Sequence, residues 1–291
     1  MPESLSLAPP FQDVDSMPEL PEVETIVRGL EPRLVGRSIR RVRTVRPDVL
    51  RQPPREFSAE LRGRIIESVS RRGKNVVIAL AGGRILVVNL GMTGRLFLTS
   101  TASRATHPAV RFTLDLGRAL VFDDVRRFGS LEVLDHDEWA RRSRDLGPEP
   151  LSAGYTATRL FADLSRSSSP IRSWLLDQRR VAGVGNIYAN EALHLAGIHP
   201  YRPASSVSEA EARALHRAMR RVLRQAIRNR GTTLRDYRDA SGSPGENAMA
   251  LRVYGRAGEP CFNCPSRIRR LVFGNRSAFY CPRCQQSSHR P

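Results

Sequence analysis

The sequence predicts an α+β protein with an N-terminal antiparallel β-sandwich and flanking helices, a C-terminal helical domain, and a zinc-finger β-hairpin held by four cysteines. Three observations carry that prediction. Between Gly36 and about Leu134, short apolar runs alternate with tight turn sequences. Between about residue 152 and Arg230, the apolar spacing switches to three and four. All four cysteines sit in two CxxC pairs near the C-terminus. At 291 residues the chain is long enough for two domains with a small appendage.

Residues 1–16 are polar, carry prolines and show no periodicity, so they read as a disordered extension or a mis-assigned start. The stretch Met17-Pro18-Glu19-Leu20-Pro21-Glu22-Val23-Glu24-Thr25 then opens a helix. Val23, Ile26, Val27, Leu30 and Leu34 fall on one face, and Pro21, Glu22 and Glu24 suit its positive first turn. The sandwich domain is expected over 17–144. Within it, strands at 76–80 and 84–90 flank Ala81-Gly82-Gly83, and strands at 110–114 and 119–122 flank Asp115-Leu116-Gly117-Arg118. The loops between strands hold the unusual residues: Lys74 in 70–75, Met92 in 90–94, and Arg126 and Phe128 in 124–129.

The segment 145–150 (DLGPEP) breaks both periodicities and marks a linker over 145–151. A helical domain is expected over 152–239. It holds a short helix at 171–178, a glycine turn from Val181 to Asn186, and a second helix at 187–196. A third helix starts at Ser208, whose capping box is completed by Glu211, and stops at Gly231. Arg213, Arg217, Arg220, Arg224 and Arg228 line the polar face of that helix, where a solvated surface and a DNA contact account for them equally well. Residues 240–255 are a loop and connector, with 240–250 (ASGSPGENAMA) flexible, and 256–290 form the finger.

A formal charge of +18 and a pI near 11.2 call for a polyanionic partner, and nucleic acid is the first candidate. No apolar run approaches the roughly 20 residues that span a bilayer, and the first 27 residues lack both a basic n-region and an apolar core, so a cytosolic protein without a membrane partner is expected. Of 47 basic residues, all but Lys74 are Arg. Arg serves every phosphate contact and cannot release a proton near neutral pH, whereas Lys can, so Lys74 is a candidate for proton transfer. Chance survival of one Lys in an Arg-rich chain is the plain alternative.

If the mature chain began after Met17, Pro18 would carry a free secondary amine beside a helix N-terminus that helps to lower its pKa. Glu19 would be its nearest proton carrier, although an ordinary capped helix uses the same residues. Met92, Phe128 and Arg126 offer two apolar wedges and a guanidinium, the groups that fill a gap left by a base flipped out of a duplex; core packing is the commoner fate of such apolar residues. Cys261, Cys264, Cys281 and Cys284, with 16 residues between the pairs, fit one structural zinc in a closed tetrahedral site. The zinc braces two strands around Gly274-Asn275-Arg276, with Arg276 near the tip.

From Met17 to Gln285 the chain resembles the formamidopyrimidine-DNA glycosylase (Fpg/Nei) family in five separate motifs taken in order: the start MPELPEVET, the Lys74 loop, the Met92 and Arg126-Arg127-Phe128 loops, the glycine turn into Asn186, and the cysteine finger. The resemblance implies a helix-two-turn-helix element around that turn, whose backbone N–H groups can bind a DNA phosphate. It further implies Pro18 as the Schiff-base nucleophile, Glu19 as the acid of base release and ring opening, Lys74 as the group of β-elimination and Arg276 that of δ-elimination. His107, Arg126 and Asn186 would contact the DNA backbone, and Met92, Arg126 and Phe128 would fill the void.

The expected activity is therefore a bifunctional DNA glycosylase and abasic-site lyase that acts on oxidised purines in damaged duplex DNA, as a monomer with one structural zinc and no small-molecule cofactor, at the nucleoid of a bacterial-type cell. Two alternatives stay open, a Nei-type enzyme of oxidised pyrimidines and a non-catalytic binder of damaged DNA; the second follows if residues 1–16 persist and lock the Pro18 nitrogen in an amide. Four departures from the family pattern stand out. They are the extension itself, Val125 in place of a usual proline, Ser168 at a usually basic contact, and Ser243, Glu246 and Asn247 where the loop over the flipped base is usually basic and aromatic.

Overall fold

The computed structural model describes residues 17–100, 105–273 and 276–286; the extension 1–16 and the hairpin residues 274–275 lie outside them. Helix α1 (Leu20–Leu34) starts on Pro21 in its first turn, and the Glu19 N–H donates to Glu22 Oε2 at 2.9 Å, which closes the helix start. Its apolar stripe is fully used, but by two different cores. Leu20 packs into the helical domain, whereas Val23, Ile26, Val27, Leu30 and Leu34 pack into the sandwich.

The sandwich is built from two four-stranded sheets whose pairings are all antiparallel. One has the order β1-β6-β7-β5, from β1 (Ile39–Thr44), β5 (Arg95–Thr99), β6 (Pro108–Leu114) and β7 (Ala119–Asp123). The other has the order β2-β3-β4-β8, from β2 (Ile66–Arg72), β3 (Asn75–Leu80), β4 (Arg84–Asn89) and β8 (Ser130–Asp135). The turn between β3 and β4 places Gly82 and Gly83 at φ +80° and +71°, the left-handed values that let a tight hairpin match strand twist. Register then sets Ile78 opposite Leu86 and Val76 opposite Val88, which drives these side chains into the core with Phe112 and Phe122 of the other sheet. Helix α2 (Pro54–Leu61) closes one end through Phe57, whose ring lies 6.2 Å from that of Phe112. Helix α3 (His136–Arg144) follows β8 on a capping box between Asp135 and Glu138.

Beyond residue 145 the chain is helical, with α4 (Ala157–Leu164), α5 (Ile171–Leu176), α6 (Asn186–Ala196) and α7 (Glu209–Arg228). Ser208 and Glu211 cap α7 reciprocally, at 2.8 Å from Ser208 N to Glu211 Oε2 and 3.3 Å from Glu211 N to Ser208 Oγ. Helix α6 is buried along nearly its whole length and forms the axis of this domain. The finger hairpin, β9 (Arg269–Phe273) and β10 (Arg276–Tyr280), docks on it, with the Phe279 N–H donating to Asn190 Oδ1 at 2.8 Å. Among the described residues no helix is long and apolar enough to cross a membrane.

Candidate active site

The beginning of α1 is pressed against the beginning of α6. Leu20 N donates to Gly183 O at 3.0 Å, and the Glu19 carboxylate crosses from the sandwich side to accept from Gly185 N at 2.7 Å, Ile187 N at 2.8 Å and Tyr188 N at 3.4 Å. Donors expected to face a DNA phosphate are therefore occupied from inside the protein. Gly185 makes the approach possible: a Cβ there would overlap the Glu19 carboxyl carbon and come within 2.6 Å of Lys74 Nζ. Lys74, Glu19 and the α6 N-terminus thus converge on one point. A cleft of about 470 Å³ opens beside it, lined by Met17, Lys74, Asn89, Gln178 and Arg276, and the next residue after Met17, Pro18, is buried.

Burial sets the charges here. It lifts the Glu19 carboxyl to about 7, against the pull of Lys74 and the N–H donors, while Glu22 adds to the rise. Burial also lowers the Lys74 ammonium below its usual range; Glu19 opposes that shift and Arg276 adds to it. Under Glu19 lies Glu22, itself raised by burial, which accepts from Tyr188 Oη at 2.5 Å and Thr232 N at 2.7 Å. Two carboxyls and one amine with shifted affinities for the proton therefore stand together beside the cleft.

Lys74 owes its position to residues that the sequence reading passed over. Gly73 turns at φ +60°, and its N–H donates to Glu149 Oε1 at 2.7 Å. Arg71 pairs with Glu149 at 2.7 Å and Glu24 at 3.0 Å, and Arg72 pairs with Glu149 at 3.2 Å. The presumed linker is thus a clamp on the lysine loop, held by one carboxylate that composition alone marks as a linker residue.

At the other end of the chain, the four cysteine sulfurs lie within 4.8 Å of one another. Cys261 and Cys284 stand 3.9 Å apart, Cys264 and Cys281 3.4 Å, and Cys264 and Cys284 3.6 Å. A tetrahedral zinc with Zn–S bonds of about 2.3 Å sets its sulfurs at about 3.8 Å, so the site fits one ion with no open position.

Comparison with known proteins agrees over most of the chain. Residues 17–131 match the formamidopyrimidine-DNA glycosylase N-terminal domain, 146–238 its H2TH domain, and 258–286 the zinc finger found in FPG and IleRS. The chain belongs to the formamidopyrimidine-DNA glycosylase family. Relatives of that name from Chloroflexus aurantiacus and Moorella thermoacetica are 44% and 50% identical over 277 and 259 residues. These alignments cover 94% and 88% of this chain and 100% and 94% of the relatives. The MutM (FPG) structure from Thermus thermophilus superposes with a TM-score of 0.84 at 43% identity, over 94% of this chain and 100% of that one. A Lactococcus lactis FPG mutant in complex with a Fapy-dG containing DNA superposes at 0.87 and 34% identity, over 93% and 100%.

The remaining family motifs lie on the loops that follow β4 and β7, before β6, and at the turn into α6. Phe128 is 58% exposed, with the Arg126 guanidinium 4.8 Å above its ring, and Met92 is half-buried on the neighbouring loop. Thr93 joins the two loops: its hydroxyl donates to Asp124 Oδ1 at 2.6 Å and accepts from Arg126 N at 3.0 Å. His107 is exposed, its N–H donating to Asp123 at 2.6 Å. Asn186 is committed internally, since Oδ1 accepts from Arg172 at 2.7 Å and Nδ2 donates to Ser277 O at 3.1 Å. Arg172, only 3% exposed, also reaches Ser277 O at 2.9 Å, so this unpredicted residue stitches the helix turn to the strand that starts at exposed Arg276. In the divergent loop Asn247 is buried, donating to Thr232 Oγ1 at 2.9 Å, and Glu246 pairs with Arg230; Ser168, between α4 and α5, is exposed.

Proposed function

We propose that the chain excises oxidised purines from duplex DNA and then cleaves the abasic site, with the Pro18 amine as nucleophile. The observation that supports this reading most directly is the meeting of the α1 and α6 N-termini, which gathers Pro18, Glu19 and Lys74 at one cleft. Attack of the Pro18 nitrogen on the sugar C1′ breaks the glycosidic bond, and loss of the ring oxygen's bond to C1′ leaves an iminium. Glu19, protonated below about pH 7, supplies the proton that ring opening requires. Lys74, its ammonium weakened by burial, takes the C2′ proton whose removal expels the 3′ phosphate; Arg276 attends the second elimination at the 5′ phosphate. His107 and Arg126 hold the DNA backbone, Asn186 fixes the finger strand through Ser277 instead, and Met92, Arg126 and Phe128 fill the space of the extruded base. The enzyme works as a monomer at the nucleoid.

This chemistry needs a free amine at Pro18, and the family match begins at Met17. Borohydride reduction of the iminium tests it. Protein that starts at Met17 and loses that residue is expected to be trapped on 8-oxoguanine or abasic duplex, while protein retaining residues 1–16 binds the same DNA untrapped. Equal trapping of the two forms would remove Pro18 as nucleophile and leave Lys74 as the amine.

A further inference from the structure

Helix α7 carries a second basic surface that the cleft does not use. Arg217, Arg221, Arg224 and Arg228 follow one another at spacings of four, three and four and are all exposed. They form one straight row spanning about 16 Å of helix. With Arg220 and His216 they line a groove of about 370 Å³. Arg220 and His216 make its floor, because Arg220 donates to the carbonyls of Pro150 and Ser152 at 2.8 Å each and His216 lies 2.7 Å from Tyr155 O. Between Ala212 and Arg228 the helix has no acidic residue. None of the four row arginines has a carboxylate within ion-pair reach among the described residues, in contrast to Arg213, which pairs with Glu209 at 2.5 Å.

A merely solvated helix face gains stability by alternating its charges, and this one sets like charges at the neighbouring positions 217/221 and 224/228, which disfavours the helix. The row therefore calls for a polyanion. It lies on the face opposite Leu215, Met219 and Leu223, which pack into the domain around α6, so the helical core separates it from Arg276 and the cleft.

We infer that the α7 row binds the phosphate backbone of a second DNA segment while the first occupies the cleft. Its length spans about three successive phosphates of one strand, and guanidinium forks suit them. Such a surface lets the protein pass from one DNA segment to another without release.

The test uses the full chain and two duplexes. The cleft is saturated with an unlabelled abasic-analogue duplex, and a labelled undamaged duplex is titrated in at low salt by anisotropy, with native mass spectrometry reading stoichiometry. Wild-type protein is expected to hold both duplexes. The variant R217Q/R221Q/R224Q/R228Q should bind the second at least tenfold more weakly, with its log–log salt slope smaller by about 3 to 4. Its cleft binding and melting temperature should be maintained, since Gln is a good helix former and like-charge repulsion is relieved. The corresponding four-Lys variant should retain the second duplex. A one-to-one complex for wild type, or unchanged second binding by the Gln variant, overturns the inference. So does displacement of the second duplex by polyglutamate at equal charge concentration, which would assign the row to an acidic protein. Each readout is independent of whether Pro18 is free.

Discussion

Glu19 is pulled in two directions, since three N–H groups at a helix N-terminus favour its carboxylate while burial favours the acid, and burial prevails. Its folded pKa, about 7, lies above the ordinary 4.5, so the folded state holds the proton more firmly than the unfolded one. The stability that this contributes is complete below pH 4.5 and is lost as pH rises from there through 7. The acid needed for ring opening disappears over the upper part of the same range. Single-turnover base release should therefore fall above about pH 7, and Glu19→Gln should abolish that limb together with most of the rate. A Gln variant that keeps both would remove Glu19 from the chemistry. Lys74→Arg should retain DNA affinity within about threefold yet nick an abasic site at least a hundredfold more slowly, since a general base contributes about 10² to 10⁴; nicking at the wild-type rate would reduce Lys74 to a phosphate contact. Lys74 was legible in the sequence because no other lysine competes with it. Glu149, Arg71 and Arg172 were not, because their meaning lies in partners on other elements, 14 to 105 residues away.

At the scale of elements, legibility follows local periodicity. Helix α7 showed its capping box and its stop, and the β3–β4 hairpin its glycine pair. Helix α3 went unread although Asp135 and Glu138 spell a capping box, because it buries no residue and so has no apolar stripe to follow that start. The turn into α6 was recognised by its glycines, but its purpose was not: Gly185 is small to admit Glu19 and Lys74 from the other domain, and its donors serve a carboxylate as well as any ligand. Gly185→Ala should accordingly separate the two halves of the site. We expect a stability cost of about 1–3 kcal/mol from overpacking, and a loss of borohydride trapping far larger than that cost implies, with DNA binding largely retained. Calorimetry and trapping of the same preparation check it; an alanine variant that traps normally would mean that the helix ends can move apart at no chemical cost.

The whole molecule is two cores pinned by one helix, with a hairpin hung on the second core. Leu20 and Val23, one turn apart, belong to different domains, so any rotation between the domains acts directly on Pro18 and Glu19. The hairpin sets Ile268 and Phe279 into the core of the helical domain, and two further anchors hold it. One is a polar seam in which Asn186, Asn190 and Arg172 hold the backbone of Ser277 and Phe279, and the other is the sulfur cluster at its base. The seam consists of a few hydrogen bonds, each worth about 1 kcal/mol net, whereas structural zinc in small fingers supplies about 10–16 kcal/mol of folding free energy. Metal should therefore decide whether Arg276 reaches the cleft, while the sandwich core, which takes no residue from the finger, stays intact. Freshly reduced protein is expected to carry one equivalent of zinc. Chelation, or Cys264→Ala, should weaken lesion-DNA binding at least tenfold and leave the main thermal transition nearly unchanged. Less than half an equivalent of zinc, or undiminished DNA binding by metal-free protein, would show that the hairpin is positioned without metal.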